Sequence, residues 1–321
     1  MNETWLPLCS SIHDAQSILL ISHIFPDGDT CGSALALRRA LLSLGKDVAC
    51  CCEHSVPDIY TMLDGADTIV HPDALAGRAF DLAISIDVAD EGRMGSGCAA
   101  LFAAARRTAQ IDHHGTNPCY ADTNVIRSPL SATGVLVTEL LDALEVPFDR
   151  KIAECLYVAV ATDTGNFKQA NADAAAFSVA ARCIGCGFDI AAISRRVFDL
   201  KPVCQVKLFG AALSSLQTSH GGEVATAVVS REDFERCGAK PEHTEGIVNI
   251  VFNMEQVKIA ALLVENGEGV KVSLRSVVPY DVAEVSRQFG GGGHAMAAGC
   301  TMQTDLEEAR RAIAVACEAI L

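Results

Sequence analysis

Ile18-Leu19-Leu20-Ile21-Ser22-His23-Ile24-Phe25-Pro26-Asp27-Gly28-Asp29-Thr30-Cys31-Gly32-Ser33 is the stretch whose reading decides the fold. An apolar run from Ile18 to Ser22 reads as a strand, Pro and Gly then punctuate a loop, and helical spacing of apolar residues runs from Cys31 to Leu44. Outward from there, Asp47 to Cys52, Ala83 to Ile86 and Thr108 to Ile111 read as further strands, the last two separated by an Ala-rich helix near Cys98 to Arg106. Strands alternating with helices predict an α/β domain, with a mainly parallel sheet and helices on both faces. In such sheets ligands gather beyond the carboxyl ends of the strands. The polar residues of the opening stretch fall at such an end.

From Ser131 to about Leu216 the pattern is almost continuously helical. Gly221-Gly222 interrupts it, and strands resume at Glu223 to Val229, Val257 to Val264 and Val270 to Arg275. With 321 residues, half of them apolar, there is material for two cores. The division expected is a catalytic domain over 1–190, a helical connector over 191–222 and a smaller C-terminal α+β domain over 223–321.

Composition narrows the function. Forty acidic residues against 25 basic ones argue against a protein that grips long duplex nucleic acid through a broad basic face. Any nucleic-acid substrate should be short. No signal pattern opens the chain and no apolar run reaches the roughly 20 residues of a membrane helix, so a cytoplasmic protein without membrane contact is expected. The 14 cysteines are scattered, several within Ala/Leu/Val-rich segments, and read as small apolar residues in a reducing compartment. Cys183 and Cys186 make one Cys-x-x-Cys pair with no second pair at zinc-site spacing, which leaves a redox or zinc protein as a minor alternative.

His23, Asp27 and Asp29 lie within seven residues, bent back by Pro26 and Gly28, and can aim three ligands into one small volume. Alone, the same loop is equally an Asp-Gly turn with a helix cap. Asp87 closes the buried run Ile84-Ser85-Ile86, where a carboxylate is costly unless something cationic meets it. Asp112-His113-His114 follows the next strand, and Asp163 ends an apolar helix. Four clusters of carboxylate and imidazole at successive element ends are hard to read as coincidence.

These residues resemble the DHH phosphoesterase superfamily, whose name is the triplet seen here as Asp112-His113-His114; all four of its N-terminal motifs occur in order. Phe289-Gly290-Gly291-Gly292-Gly293-His294-Ala295-Met296-Ala297-Ala298-Gly299 is similar to the glycine-rich motif of the associated DHHA1 domain. The resemblance implies one metal held by His23, Asp27 and Asp87 and a second held by Asp29, Asp87, His113 and Asp163, with Asp87 bridging. It further implies that His114 contacts the scissile phosphate and that Asp112 supports the imidazoles. Arg275, Gly291, Gly292, Gly293 and His294 would grip the rest of the substrate. Consecutive glycines let main-chain N–H groups approach a phosphate, although a flexible turn and a surface ion pair are the bland readings.

An oxygen-rich site with a few imidazoles suits Mn2+, Mg2+ or Fe2+ better than thiolate-loving metals, and Mn2+ is the ion expected. Two such ions roughly 3.5–4 Å apart can activate a water and neutralise charge on a departing oxygen. A DHHA1-like motif on a short chain resembles the nano-RNase and pAp-phosphatase group, which acts on very short RNA or DNA oligonucleotides and on 3′-phosphoadenosine 5′-phosphate (pAp). A cyclic-di-AMP or pApA phosphodiesterase is the nearest competitor. A nucleotide sensor without turnover is disfavoured because every ligand position is filled. A homodimer is left open.

Overall fold

The computed structural model describes residues 4–267 and 269–321. They form two compact units, Met1–Leu200 and Lys201–Leu321.

In the first unit the order is α1 (Leu6–Asp14), β1 (Ser17–Ser22), α2 (Gly28–Ser43), β2 (Asp47–Cys51), β3 (Ile69–Val70), β4 (Leu82–Ile86), α3 (Ser96–Ala104), β5 (Thr108–Asp112), β6 (Thr123–Ile126), α4 (Thr133–Ala143), α5 (Arg150–Asp163), α6 (Ala174–Ile184) and α7 (Ile190–Ser194). The strands pair in parallel in the order β3-β2-β1-β4-β5-β6. Strand order reverses at β1 and β4, which makes the gap between their carboxyl ends the topological switch point.

Ile18 to Ile21 are fully buried, because a central parallel strand is covered on both faces and favours an unbroken apolar run. One face carries α1, α2, α4, α5 and α6, with Leu20, Ile84 and Ile111 packed against Leu35, Leu136 and Leu156 in one core. The other face carries α3, where Leu19, Ile21 and Cys51 share a smaller core with Cys98 and Phe102. A Cβ on Gly32 would fall 2.3 Å from the Cys155 carbonyl oxygen, so α2 and α5 meet backbone to backbone at a place only glycine allows. Sequence periodicity does not reveal β3 or β6, since two and four residues are too short to show alternation.

The second unit runs α8 (Val203–Ser214), β7 (Gln217–Ser219), β8 (Val224–Val229), α9 (Arg231–Cys237), α10 (Ile247–Phe252), β9 (Ile259–Asn266), β10 (Gly269–Ser276), α11 (Val282–Gln288), β11 (Gly292–His294), β12 (Ala297–Met302) and α12 (Leu306–Glu318). Its mixed sheet has the order β11-β12-β10-β9-β8-β7, with only β8 and β9 parallel. Val272 and Leu274 face α11 and α12, while Ala260, Leu262 and Val264 face α8 and α10.

The stretch 191–222 divides between the two cores. Ile193, Val197 and Phe198 pack on the first, whereas Leu208 and Ala212 of α8 pack on the second. Among the described residues no helix is long and apolar enough to cross a membrane.

Candidate active site

Asp27 caps α2, its Oδ1 accepting the N–H groups of Asp29 at 3.0 Å and Thr30 at 3.1 Å. The helix therefore starts at Gly28, earlier than apolar spacing indicates, and Asp29 sits in its first turn rather than in the loop. That places Asp29 in full burial, where it accepts from Thr133 N (2.6 Å), Gly134 N (2.9 Å) and Ser33 Oγ (3.1 Å). Two of those donors are the opening N–H groups of α4, a helix terminus that favours an anion.

Asp87 follows β4 with a left-handed backbone, φ 61°, uncommon for a residue with a side chain. Its carboxylate is 3% exposed and points two ways. Oδ2 lies 3.8 Å from His23 Nε2, and Oδ1 lies 3.6 Å from His113 Nε2 and accepts from Thr133 Oγ1 at 2.9 Å. His23 Nε2 is also 3.6 Å from Asp27 Oδ1, and His113 Nε2 is 3.6 Å from Asp163 Oδ2. Ligand atoms of three trios lie within 4.8 Å of one another: His23, Asp27 and Asp87; Asp29, His113 and Asp163; and Asp87, His113 and His114.

The hydrogen bonds behind these groups decide what they can do. His113 Nδ1 stands 2.9 Å from the Leu130 carbonyl, which can only accept, so Nδ1 donates there and Nε2 faces Asp87 and Asp163. Nε2 is therefore the atom that His113 can turn to a cation shared with those carboxylates. The donor set fits a metal on these grounds: hard carboxylate oxygens and imidazole nitrogens, oriented from behind by carbonyl and hydroxyl partners.

Electrostatics agree. Burial, with Asp87, Asp163 and Asp27 nearby, holds Asp29 well above the ordinary carboxylate range despite the Thr133 N–H bond. Burial and the Asp27 charge push Asp87 up to about 6, against the opposing pull of His113 and His23. Asp163 is raised by burial too. Burial also acts on Asp27, but the His23 imidazole and the cap N–H groups outweigh it and leave this carboxyl below its ordinary range.

Asp112 is fully buried and accepts from His114 Nδ1 at 2.7 Å, from His113 N at 2.9 Å and from Asn117 Nδ2 at 2.6 Å. The bond from Asp112 raises the His114 imidazole above its usual range. Although His114 Nδ1 also lies 3.7 Å from Asp87 Oδ1, it is engaged by Asp112, so Nε2 is the atom His114 can present to a ligand.

All eight first-unit residues singled out from the sequence thus converge. The residues that position them were not singled out: Thr133, Gly134, Asn117, Ser33 and the Leu130 carbonyl. Ser131-Ala132-Thr133-Gly134 at the opening of a helical pattern was the one available signal, and it does not name the distant carboxylate it serves.

Arg275, Gly291, Gly292, Gly293 and His294 belong to the second unit. Arg275 pairs with Ala297 across β10 and β12, and Ala297 with His294 across β12 and β11, which puts Arg275 and His294 on one face of the sheet. Gly293 has φ 140°, and a Cβ there would lie 2.6 Å from the Ala297 carbonyl oxygen, so the tight hairpin requires glycine. Arg275 lines a cavity of about 750 Å3 together with Ser273, Lys271, Asn249 and Phe234. Cys183 is buried in the first core and Cys186 packs against it, as small apolar side chains do.

Residues 17–160 match the model of the DHH family N-terminal domain and residues 221–320 that of the DHHA1 domain. The chain belongs to the DHH/DHHA1 phosphoesterase superfamily. Within it, the chain is 32% identical to a protein of Thermus thermophilus named bifunctional oligoribonuclease and PAP phosphatase NrnA, over 91% of this chain and 86% of that one. A Bacillus subtilis protein of the same name is 24% identical, over 95% and 94% of the two chains. Among solved structures, an exopolyphosphatase-related protein from Bacteroides fragilis superposes with a TM-score of 0.88 at 25% identity, covering 99% of this chain and 96% of its own.

Proposed function

We propose that the chain hydrolyses phosphate esters of short oligonucleotides and of pAp, with two divalent cations held by His23, Asp27 and Asp87 and by Asp29, Asp87, His113 and Asp163. The observation that carries this reading is the divided carboxylate of Asp87, one oxygen toward His23 and the other toward His113. The relatives' names supply the substrate class. Mn2+ is the proposed ion, and the burial of Cys31, Cys155 and Cys317 as small apolar side chains fits the proposed reducing cytoplasm.

When bound, the ions supply an activated water and neutralise charge on the leaving oxygen. The protein does the rest. Asp112 anchors His114 through Nδ1, so a proton on His114 Nε2 can be offered to a phosphate oxygen or to the departing one. Thr133 fixes the rotamer of Asp87, and the α4 N-terminus holds Asp29. In the second unit Arg275, His294 and the Gly291–Gly293 backbone are proposed to hold a further phosphate of the substrate.

A product assay with Mn2+ on pAp, pApA, cyclic-di-AMP and a labelled five-nucleotide RNA tests the assignment. Turnover of pAp and the RNA ahead of cyclic-di-AMP is expected; cyclic-di-AMP as the sole substrate would refute it. His114→Ala should lower kcat on the order of a hundred-fold with both ions retained, and loss of metal by elemental analysis would instead make His114 a ligand. His294→Ala should raise KM for pAp about ten-fold at nearly constant kcat, so an unaltered KM removes it from the substrate site.

A further inference from the structure

Phe25 stands between His23 and Asp27, two residues from each, and the described residues leave it largely uncovered. Its ring is 68% exposed, the most exposed phenylalanine among the described residues. Single exposed apolar side chains are ordinary. What distinguishes this one is how firmly it is displayed.

The backbone on its N-terminal side is tied down by Ile24 N–H donating to the Arg93 carbonyl at 2.7 Å. On its C-terminal side Pro26 is buried and restricts Phe25 to extended conformations. The ring meets exposed His54 at an interplanar angle of 64° and a centroid distance of 5.1 Å. His54 is steadied in turn, because neighbouring Glu53 accepts the N–H groups of Gly97 (3.1 Å) and Cys98 (3.3 Å) at the start of α3. An exposed aromatic pair therefore stands on two tied-down loops, one of which carries His23 and Asp27 of the carboxylate and imidazole cluster. At no more than about 3.6 Å of chain per residue, the Phe25 Cα lies within roughly 7 Å of those of His23 and Asp27.

We infer that Phe25, backed by His54, is a stacking platform for the nucleobase of the nucleotide whose phosphate occupies the cluster. This rests on the proposed function and deepens it: the preferred substrate is a nucleoside phosphate rather than any phosphate ester. A phenyl face accepts every base, so it contributes affinity without sequence preference, as expected of an enzyme that degrades oligonucleotides of any sequence. The pinned loops reduce the ordering cost that a mobile side chain would bring to binding.

The test compares pAp with the corresponding 3′,5′-bisphosphate lacking the base, using the Mn2+-loaded protein. Wild type should show a KM for pAp about ten-fold below that for the abasic compound, in line with base–aromatic stacking. Phe25→Ala should bring the ratio of the two KM values close to one with kcat little changed, and Phe25→Trp should preserve it. A ratio in Phe25→Ala equal to that of wild type overturns the inference. So does an equal loss on both substrates accompanied by loss of bound Mn2+, which would make Phe25 a prop for the His23–Asp27 loop. If wild type turns over neither pAp nor RNA, the proposed function itself falls, and this inference with it.

Discussion

Replacing Asp87 with asparagine is expected to lower kcat/KM by on the order of a thousand-fold, about 4 kcal/mol of barrier, and to raise the stability of the metal-free protein. Both effects come from one carboxylate. Asp87 is the side chain that reaches both His23 and His113, so losing its charge should weaken the two proposed cation sites together. Asparagine is the right replacement because it keeps the shape, can accept from Thr133 Oγ1 and tolerates the left-handed backbone at φ 61°, which alanine does less well. Without cations, Asp87 is a buried charge facing Asp27, and removing it relieves that repulsion. Elemental analysis, steady-state kinetics and thermal melts of chelated protein measure the three consequences. Activity within ten-fold of wild type with full metal content would end the bridging assignment.

The second large effect is a pH-dependent loss of stability on chelation. Asp87 lies near 6 when folded, against an ordinary value of 3.8, and Asp29 and Asp163 are raised as well. A raised carboxyl binds its proton more tightly in the folded state, so between about pH 4 and 6 folding takes up protons and stability falls as pH rises. Asp27 and Asp112 are lowered and act oppositely, but their contribution is lost only below the ordinary carboxylate value. The raised His114 contributes stability that is lost as pH climbs from its ordinary value of 6.5 through its higher folded value, which adds to the trend.

For Asp87 alone the whole shift corresponds to about 3 kcal/mol, of which roughly half falls between pH 5 and 7, about 3–5 °C in Tm for a unit of this size. Chelated protein should therefore melt lower at pH 7 than at pH 5. Adding Mn2+ should recover more at pH 7, where the ligands are ionised and cation binding is linked to folding. A melting temperature that stays flat over that range, with or without Mn2+, would show that these carboxylates do not share one repulsive site.

Much of this molecule was readable in one dimension because its cues are local. The apolar run at Ile18–Ile21 marks a strand buried on both faces, Pro26 and Gly28 mark the turn, and the Asp112-His113-His114 triplet marks a strand end. What escaped the reading depends on partners distant in sequence. The edge strands β3 and β6 and the hairpin β11–β12 exist because a neighbour supplies hydrogen bonds, and His294 shares a face with Arg275 only through the register across β12. Asp29 looked like a loop ligand, yet it lies in a helix, and its anchors come from Thr133 and Gly134 more than a hundred residues away.

The chain by itself determined the identity of the proposed ligands and their order, because side-chain chemistry and element period are properties of single residues and short windows. Only the tertiary structure decided which oxygen of Asp87 faces which imidazole, that the Leu130 carbonyl engages His113 Nδ1, and that Phe25 is exposed against His54. Those are relations of distance and direction between segments, and no local propensity encodes them.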